Sequence, residues 1–280
     1  MNNKESFPLE SVLNSNEFME CTYELPIVLG KAVAADEVVL KDLVELGHIL
    51  IGGASGQGKT TALYAMTNSL LRKKLPRELQ LVIIDPKGCE FDRYVSTANG
   101  FLAKIPDVSS PILTDKTEAT RALKYLCDVM DARYKLLETA GVWNIQEYNA
   151  KFKNGDFSEE QGHNFMPYMV IVVDEYGELM ITNRKEAEDP IVRLAQIGRR
   201  VGIHLIIATA RIVSNVITGY ISANFPTHIA FRVATSYESR MITYRPDAAE
   251  LTDHGNFIFV SGKEKKRIQG AFVEDCFTQR

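Results

Sequence analysis

Short, wholly apolar runs alternate along this chain with longer stretches whose apolar residues recur at three- and four-residue spacing. "HILIGG" (48–53), "LQLVIIDP" (79–86), "YMVIVVDE" (168–175), "HLIIATA" (204–210) and "THIAFRV" (227–233) read as buried strands. "YELPIVLGKAVAADEVVLKDL" reads as two strands around a turn near Ala34–Asp36, and 256–273 as a closing hairpin over a basic turn. Helices are predicted from Gly58 to about Lys74, over 115–140, and from an Asp189–Pro190 start to about Val201. In the second of these, Leu123, Leu126, Cys127, Met130, Tyr134 and Leu137 form one stripe, with Asp115 and Glu118 as a capping box and Gly141 as the stop. The polar segment 150–167 reads as a surface loop. This alternation predicts an α/β fold with a mostly parallel sheet covered by helices on both faces.

Residues 1–21 are expected to be a flexible arm, 22–45 a small β-hairpin element packed on the core, and 22–280 one domain. With 45% hydrophobic and 24% charged residues, the chain has the composition of a soluble globular protein. A net charge of −4 gives no bulk attraction for nucleic acid, which leaves local basic clusters as the place to look for it. Cys21, Cys89, Cys127 and Cys276 lie far apart, as free thiols of a reducing compartment do. The five histidines lack metal-ligand spacing, and His204 opens a buried strand as a structural residue. Apolar runs are well short of the roughly 18 residues a membrane span needs. The N-terminus lacks a signal-peptide core, so a cytoplasmic location is expected.

The chemistry is concentrated at strand ends. "GASGQGKT" fits G-x-x-x-x-G-K-[ST] between a predicted strand and a predicted helix. Gly53, Ala54, Ser55, Gly56, Gln57, Gly58, Lys59, Thr60 and Thr61 would cradle the phosphates of ATP on backbone N–H groups and the helix N-terminus. Lys59 would reach the β- and γ-phosphates, and Thr60 would hold Mg²⁺. Asp174 would hold the same ion through its water shell, and Glu175 is placed to activate the attacking water. Adjacent Asp and Glu point to a nucleotide hydrolase. The arrangement resembles P-loop ATPases of the additional-strand type. That resemblance implies that strand 204–209 lies between the P-loop strand and the Asp-Glu strand, with Thr209 or its neighbour sensing the γ-phosphate.

"ELPIVLGK", "HILIGGASGQGKT", "LVIIDPKGCEF", "MDARYKLLETAGVWNIQEYN", "MVIVVDEYGELM", "RLAQIGRRVGIHLIIATAR", "VITGYISANFPTHIAFRV" and "GAFV" follow one another from about residue 24 to 273. In these stretches the chain resembles the motor domain of the FtsK/SpoIIIE family, within the FtsK–HerA group. The resemblance implies a RecA-like P-loop NTPase core, ring assembly, usually as a hexamer, around double-stranded DNA, and an arginine finger from a neighbouring subunit. By motif position the finger is Arg199, with Arg200 as competitor, and Arg240 also falls on a family arginine. Asp85 and Lys87 of "DPK" would lie near the nucleotide or couple it to the neighbour. DNA-contact candidates are Arg184, Lys185 and the loop opening at Arg211, with "GKEKKR" (262–267) as a further basic site. Trp143 and Tyr148 match a family patch and read as packing or interface residues.

One stretch departs from the family: Ala210 stands where Gln is usual, so the side chain there cannot bond phosphate or water, and Ile212 stands where Pro is usual, which makes the start of the loop less rigid. Cell-division members carry a membrane region before the motor and a DNA-reading domain after it. Against that pattern the chain reads as a stripped motor of a phage, plasmid or integrative element, working with a separate DNA-loading or membrane-anchoring protein. The sequence reading leaves two rivals open, a secretion-type ATPase handling protein and a nucleotide-gated adaptor with weak hydrolysis.

Overall fold

The computed structural model describes residues 7–98, 100–252 and 254–273. Two short helices, α1 (Leu9–Leu13) and α2 (Asn16–Glu20), precede the strands β1 (Pro26–Ala32) and β2 (Val38–Asp42). A single turn, α3 (Leu43–Leu46), leads into β3 (Ile49–Gly52), α4 (Lys59–Lys73), β4 (Leu79–Ile84), the turn α5 (Tyr94–Thr97) and β5 (Ile112–Leu113). The chain continues with α6 (Lys116–Thr139), α7 (Ile145–Lys153), β6 (Tyr168–Val173), α8 (Tyr176–Ile197) and β7 (Ile203–Thr209). It closes with α9 (Gly219–Asn224), β8 (Thr227–Phe231), α10 (Ser236–Thr243), β9 (Asn256–Ser261) and β10 (Glu264–Gly270).

The ten strands of the described residues join one sheet in the order β2-β1-β10-β9-β8-β3-β7-β6-β4-β5. From β8 to β5 the pairing is parallel, and every residue of β3, β6, β7 and β8 is buried. That is the signature of a sheet covered on both faces. From β8 outward to β2 the pairing is antiparallel. The hairpin of 22–45 is thus a continuation of the sheet, joined through β1 and β10, rather than a separate element packed on the core. As expected, β7 lies between β3 and β6. Register brings Gly52 opposite Thr209, Val173 opposite Ile207 and Ile84 opposite Val173. The C-terminal ends of four strands therefore meet along one edge.

Three expectations are corrected. The helix expected to begin at Asp189–Pro190 begins at Tyr176 and runs through the proline. Pro190 removes one helical N–H and costs about 3 kcal/mol. Leu179, Met180, Ile191 and Leu194, on both sides of it, are buried, and each contributes roughly 1.5–3 kcal/mol. The stripe outweighs the break. The arm differs from a loose segment over 8–20, because Leu9, Val12, Leu13 and Phe18 are buried in a satellite cluster with Val28, Ala65 and Ala271. Segment 150–167 is not a bare loop: α7 extends to Lys153, and Asn149 closes the stretch by bonding both backbone polar groups of Met166 at 2.8 and 2.9 Å.

A smaller difference concerns the capping box. Asp115 accepts from the N–H groups of Thr117 and Glu118, but the Glu118 carboxylate turns to Ser109. Cys21, Cys89 and Cys127 are free, and Cys276 lies outside the described residues. No helix among the described residues is long and apolar enough to cross a membrane.

Candidate functional site: a P-loop at the strand ends

The loop after β3 is shaped by backbone that only glycine adopts easily. Gly58 has φ +111°, and a Cβ on Gly53 would stand 2.6 Å from that of Phe231. The loop is docked on both sides: Ala54 N–H donates to the Arg232 carbonyl (2.9 Å) and Gly255 N–H to that of Gln57 (3.2 Å). α4 then begins at Lys59 with no side-chain cap, so its first N–H groups face the loop as an anion site. Lys59 is folded back, its Nζ donating to the carbonyls of Gly53 (2.8 Å) and Ala54 (3.0 Å). Burial lowers the Lys59 pKa, against the raising effect of the Glu175 and Asp174 carboxylates.

Thr60 Oγ1 donates to Asp174 Oδ2 at 3.0 Å. Asp174 is buried, which pushes its carboxyl up to about 6 against the opposing Thr60 bond, with Asp85, Glu90 and Glu175 raising it further. A hydroxyl and a carboxylate oxygen are hard donors suited to Mg²⁺, and a bound cation would relieve the cost of that buried charge. Among the described residues no group of three or more His, Cys, Asp or Glu could hold a metal.

Glu175 has φ +64° and ψ +58°, a left-handed conformation unusual for its residue type. Its carboxylate is held at both oxygens. Oε1 accepts from the Thr209 hydroxyl (3.0 Å) and the Ala210 N–H (2.9 Å), while Oε2 lies 3.1 Å from Lys87 Nζ. The Thr209 hydroxyl expected to sense phosphate is therefore directed at Glu175, and it also accepts from the Arg211 N–H. Asp85 is fully buried and organises the loop of "DPKGCEF". Its carboxylate accepts from the N–H groups of Lys87, Gly88, Glu90 and Phe91 at 2.9–3.2 Å. Asp85 thus sets the backbone from which Lys87 reaches Glu175.

The predicted nucleotide residues, Gly53 to Thr61, meet Asp174, Glu175, Asp85, Lys87 and Thr209 here. Other candidates lie elsewhere. Arg199 is exposed at the opposite end of the strands, against Gly47 and beside Pro226. Arg200 stacks on Trp143, 4.9 Å from its ring centre, and donates to the Trp143 carbonyl. Arg240 is exposed on α10, whose Ile242 seats against Gly52. Arg184 pairs with Glu188 (3.5 Å) and Arg211 with Glu178 (3.3 Å), while Lys185 is exposed on α8. In the basic turn, Lys265 pairs with Asp247 and Lys266 with Glu264.

Sequence reasoning missed the flank of the P-loop. A cavity of about 1300 Å³ runs beside it, lined by Gln57, Thr61, Phe231, His254, Arg267 and Phe272 among others. Its far wall comes from the chain's last strands and from Phe7, paired by backbone with Phe272. Nothing in the local pattern of those segments points to the P-loop.

Residues 8–214 match the model of the FtsK/SpoIIIE family. The chain belongs to that family. "DNA translocase FtsK" of Chlorobaculum tepidum is 44% identical over 268 residues, covering 95% of this chain and 32% of that protein. "DNA translocase FtsK" of Borreliella burgdorferi is 37% identical, covering 97% and 33%. The chain thus spans about a third of the length of these FtsK/SpoIIIE relatives. Among solved structures, the pCW3 conjugation coupling protein TcpA, in monomer form with ATPγS, superposes with a TM-score of 0.74 at 27% identity, covering 95% of this chain and 70% of that one. The cytoplasmic domain of the Thermomonospora curvata type VII secretion ATPase EccC gives 0.77 at 24% identity, covering 96% and 32%, and shares the fold.

Proposed function

We propose that this chain is the ATP-hydrolysing motor of a ring-forming translocase that moves double-stranded DNA. The observation that carries the reading is the meeting of Lys59, Thr60, Asp174 and Glu175 at one end of the parallel strands, in a chain of the FtsK/SpoIIIE family. ATP places its phosphates on the P-loop and its base in the flanking cavity. Lys59 leaves the two carbonyls it bonds and turns to the β- and γ-phosphates. Thr60 and Asp174 would hold Mg²⁺, which would supply charge neutralisation to the phosphates. Glu175 orients and activates the attacking water.

Arg199 stands at the far end of the strands from its own P-loop, which suits a residue that completes a neighbour's site in a ring, a hexamer in our reading. A finger supplied in trans is worth about 10³–10⁵ in turnover for P-loop hydrolases. Arg184, Lys185 and Arg211 are the proposed phosphate contacts. Two of the three are held by glutamates, so a DNA phosphate would have to draw them away from Glu188 and Glu178. The likeness to the conjugation coupling protein TcpA supports conjugative DNA transfer as the setting.

The test is steady-state ATP hydrolysis with and without linear double-stranded DNA, at low and high salt, with Glu175→Gln as control. Stimulation that fades with salt and disappears in the variant is expected, because backbone contacts release counterions. Hydrolysis that no DNA raises, in purified ring-forming protein, would overturn the DNA reading.

A further inference from the structure

The group proposed to activate water is not idle in this structure; it is occupied. Of the three donors on Glu175, two are fixed. Thr209 is fully buried at the end of β7, and the Ala210 N–H belongs to the backbone. The third, Lys87, is different. Its side chain is 48% exposed, while the Glu175 carboxylate it pairs with is 5% exposed. An ammonium on a flexible four-carbon stem can leave without disturbing the sheet. Its backbone cannot, because Asp85 ties down the loop at four N–H groups.

The head of Lys87 has a natural second partner. Thr60, next to Lys59 in the P-loop, bonds Asp174 at 3.0 Å, and Lys87 lies 3.1 Å from the adjoining Glu175. Lys87 therefore stands beside the loop on which the phosphates of a nucleotide would rest. A terminal phosphate carries more charge than one carboxylate and offers several acceptor oxygens. Ala210 adds a reason for Lys87 to take this part, since it contributes an N–H to Glu175 but no side chain that could bond phosphate. We propose that Lys87 is a positioning residue that exchanges Glu175 for the γ-phosphate of a bound nucleoside triphosphate.

The exchange rests on the nucleotide-hydrolase reading given above and adds a coupling to it. In the empty site and with a diphosphate, Lys87 stays on Glu175. With a triphosphate, Lys87 moves to the new anion, and Oε2 of Glu175 becomes available to water. The water-activating group is thus released by the ligand whose hydrolysis it serves. Asp85 acts through the loop, by fixing the point from which Lys87 swings.

A binding experiment tests this without turnover. ATPγS and ADP are titrated, each with Mg²⁺, into the full chain and into K87M, E175Q and the double variant. Because Lys87 must give up Glu175 to reach the γ-phosphate, E175Q is expected to tighten ATPγS by at least about 5-fold. In the K87M background the same change should leave ATPγS affinity unaltered. ADP affinity should be nearly the same in all four proteins, which also shows that they are folded. K87R should restore part of the preference for ATPγS over ADP. If E175Q tightens ATPγS equally in both backgrounds, its effect is loss of carboxylate–phosphate repulsion alone and the exchange is overturned. The same holds if K87M weakens ADP as much as ATPγS. A wild-type chain that binds neither nucleotide overturns the nucleotide-hydrolase reading along with it.

Discussion

The two ends of the parallel strands handle buried ionisable groups in opposite ways. At the C-terminal ends, Asp174, Glu175 and Asp85 are gathered with Lys59 and Lys87, and the charges are matched by hydrogen bonds and counter-ions. At the N-terminal ends, His48 and His204 are completely buried, their rings 6.1 Å apart. The His48 Nδ1 accepts from the Leu205 N–H, and the His204 Nδ1 meets the Gly47 carbonyl. Burial pushes His204 down to about 4, and it holds His48 well below its ordinary value, with the charges of His204 and Arg199 adding to the effect. The acids are matched by partners, whereas the histidine pair avoids buried charge by neutrality; the buried Arg133 at the same end instead donates from Nη1 to the Val201 carbonyl.

This contrast can be broken or sharpened by experiment. The largest expected effect comes from Arg199→Ala. Hydrolysis by the assembled protein should fall by about 10³–10⁵, while ATPγS binding by isolated subunits stays unchanged. A matching loss of ATPγS affinity in isolated subunits would mean that Arg199 serves its own site, and the separation of the two ends would fail. Next, Glu175→Gln should lower steady-state turnover by about 10²–10⁴ with ATPγS binding retained. An unchanged rate would remove Glu175 from the chemistry.

Ile206 lies in the wall between the two ends, paired with Ile49 and Val172 and fully buried. Ile206→Ala should cost about 2–5 kcal/mol in urea unfolding. A cost under 1 kcal/mol would show a loosely packed strand. The smallest effect at neutral pH concerns the histidines. His204 and His228, each lowered to about 4 by burial, bind protons in the unfolded chain before they do so in the folded one. Their contribution to stability is intact above the ordinary value near 6.5 and is lost as pH falls from there toward 4. His228→Gln should flatten the urea midpoint over that window, and an unaltered slope would show that His228 is not a source of acid sensitivity.

Much of the site was legible before the fold was known. The P-loop signal works because phosphate binding needs glycine backbone, a lysine and a hydroxyl within one turn of chain, so its parts are neighbours in sequence. Asp174 and Glu175 were legible because a strand that ends on two acids is unusual in a buried run. Other features had no local signature. Thr209, Ala210 and Lys87 converge on Glu175 from two other strand ends, and a sequence does not state which atoms a hydroxyl or an ammonium chooses. The cavity beside the P-loop is built from the first described residues and the last strands.

Local chemistry explains the division. Apolar runs, periodicity and capping residues marked the strands other than β5 and, of the helices, α4, α6 and the second half of α8, because those signals lie in neighbouring residues even though the strands pair with distant ones. Tertiary packing overrode the pattern at Pro190, where a continuous buried stripe outweighed one lost hydrogen bond, and at 8–20, where four apolar residues found a surface to cover. The sequence by itself determined that a P-loop stands at the end of β3. Only the tertiary structure decided that Glu175 is held by Lys87, and that Arg199 lies at the opposite end of the strands from the P-loop. Both facts depend on distances between residues far apart in the chain, which long-range packing sets and local propensity does not.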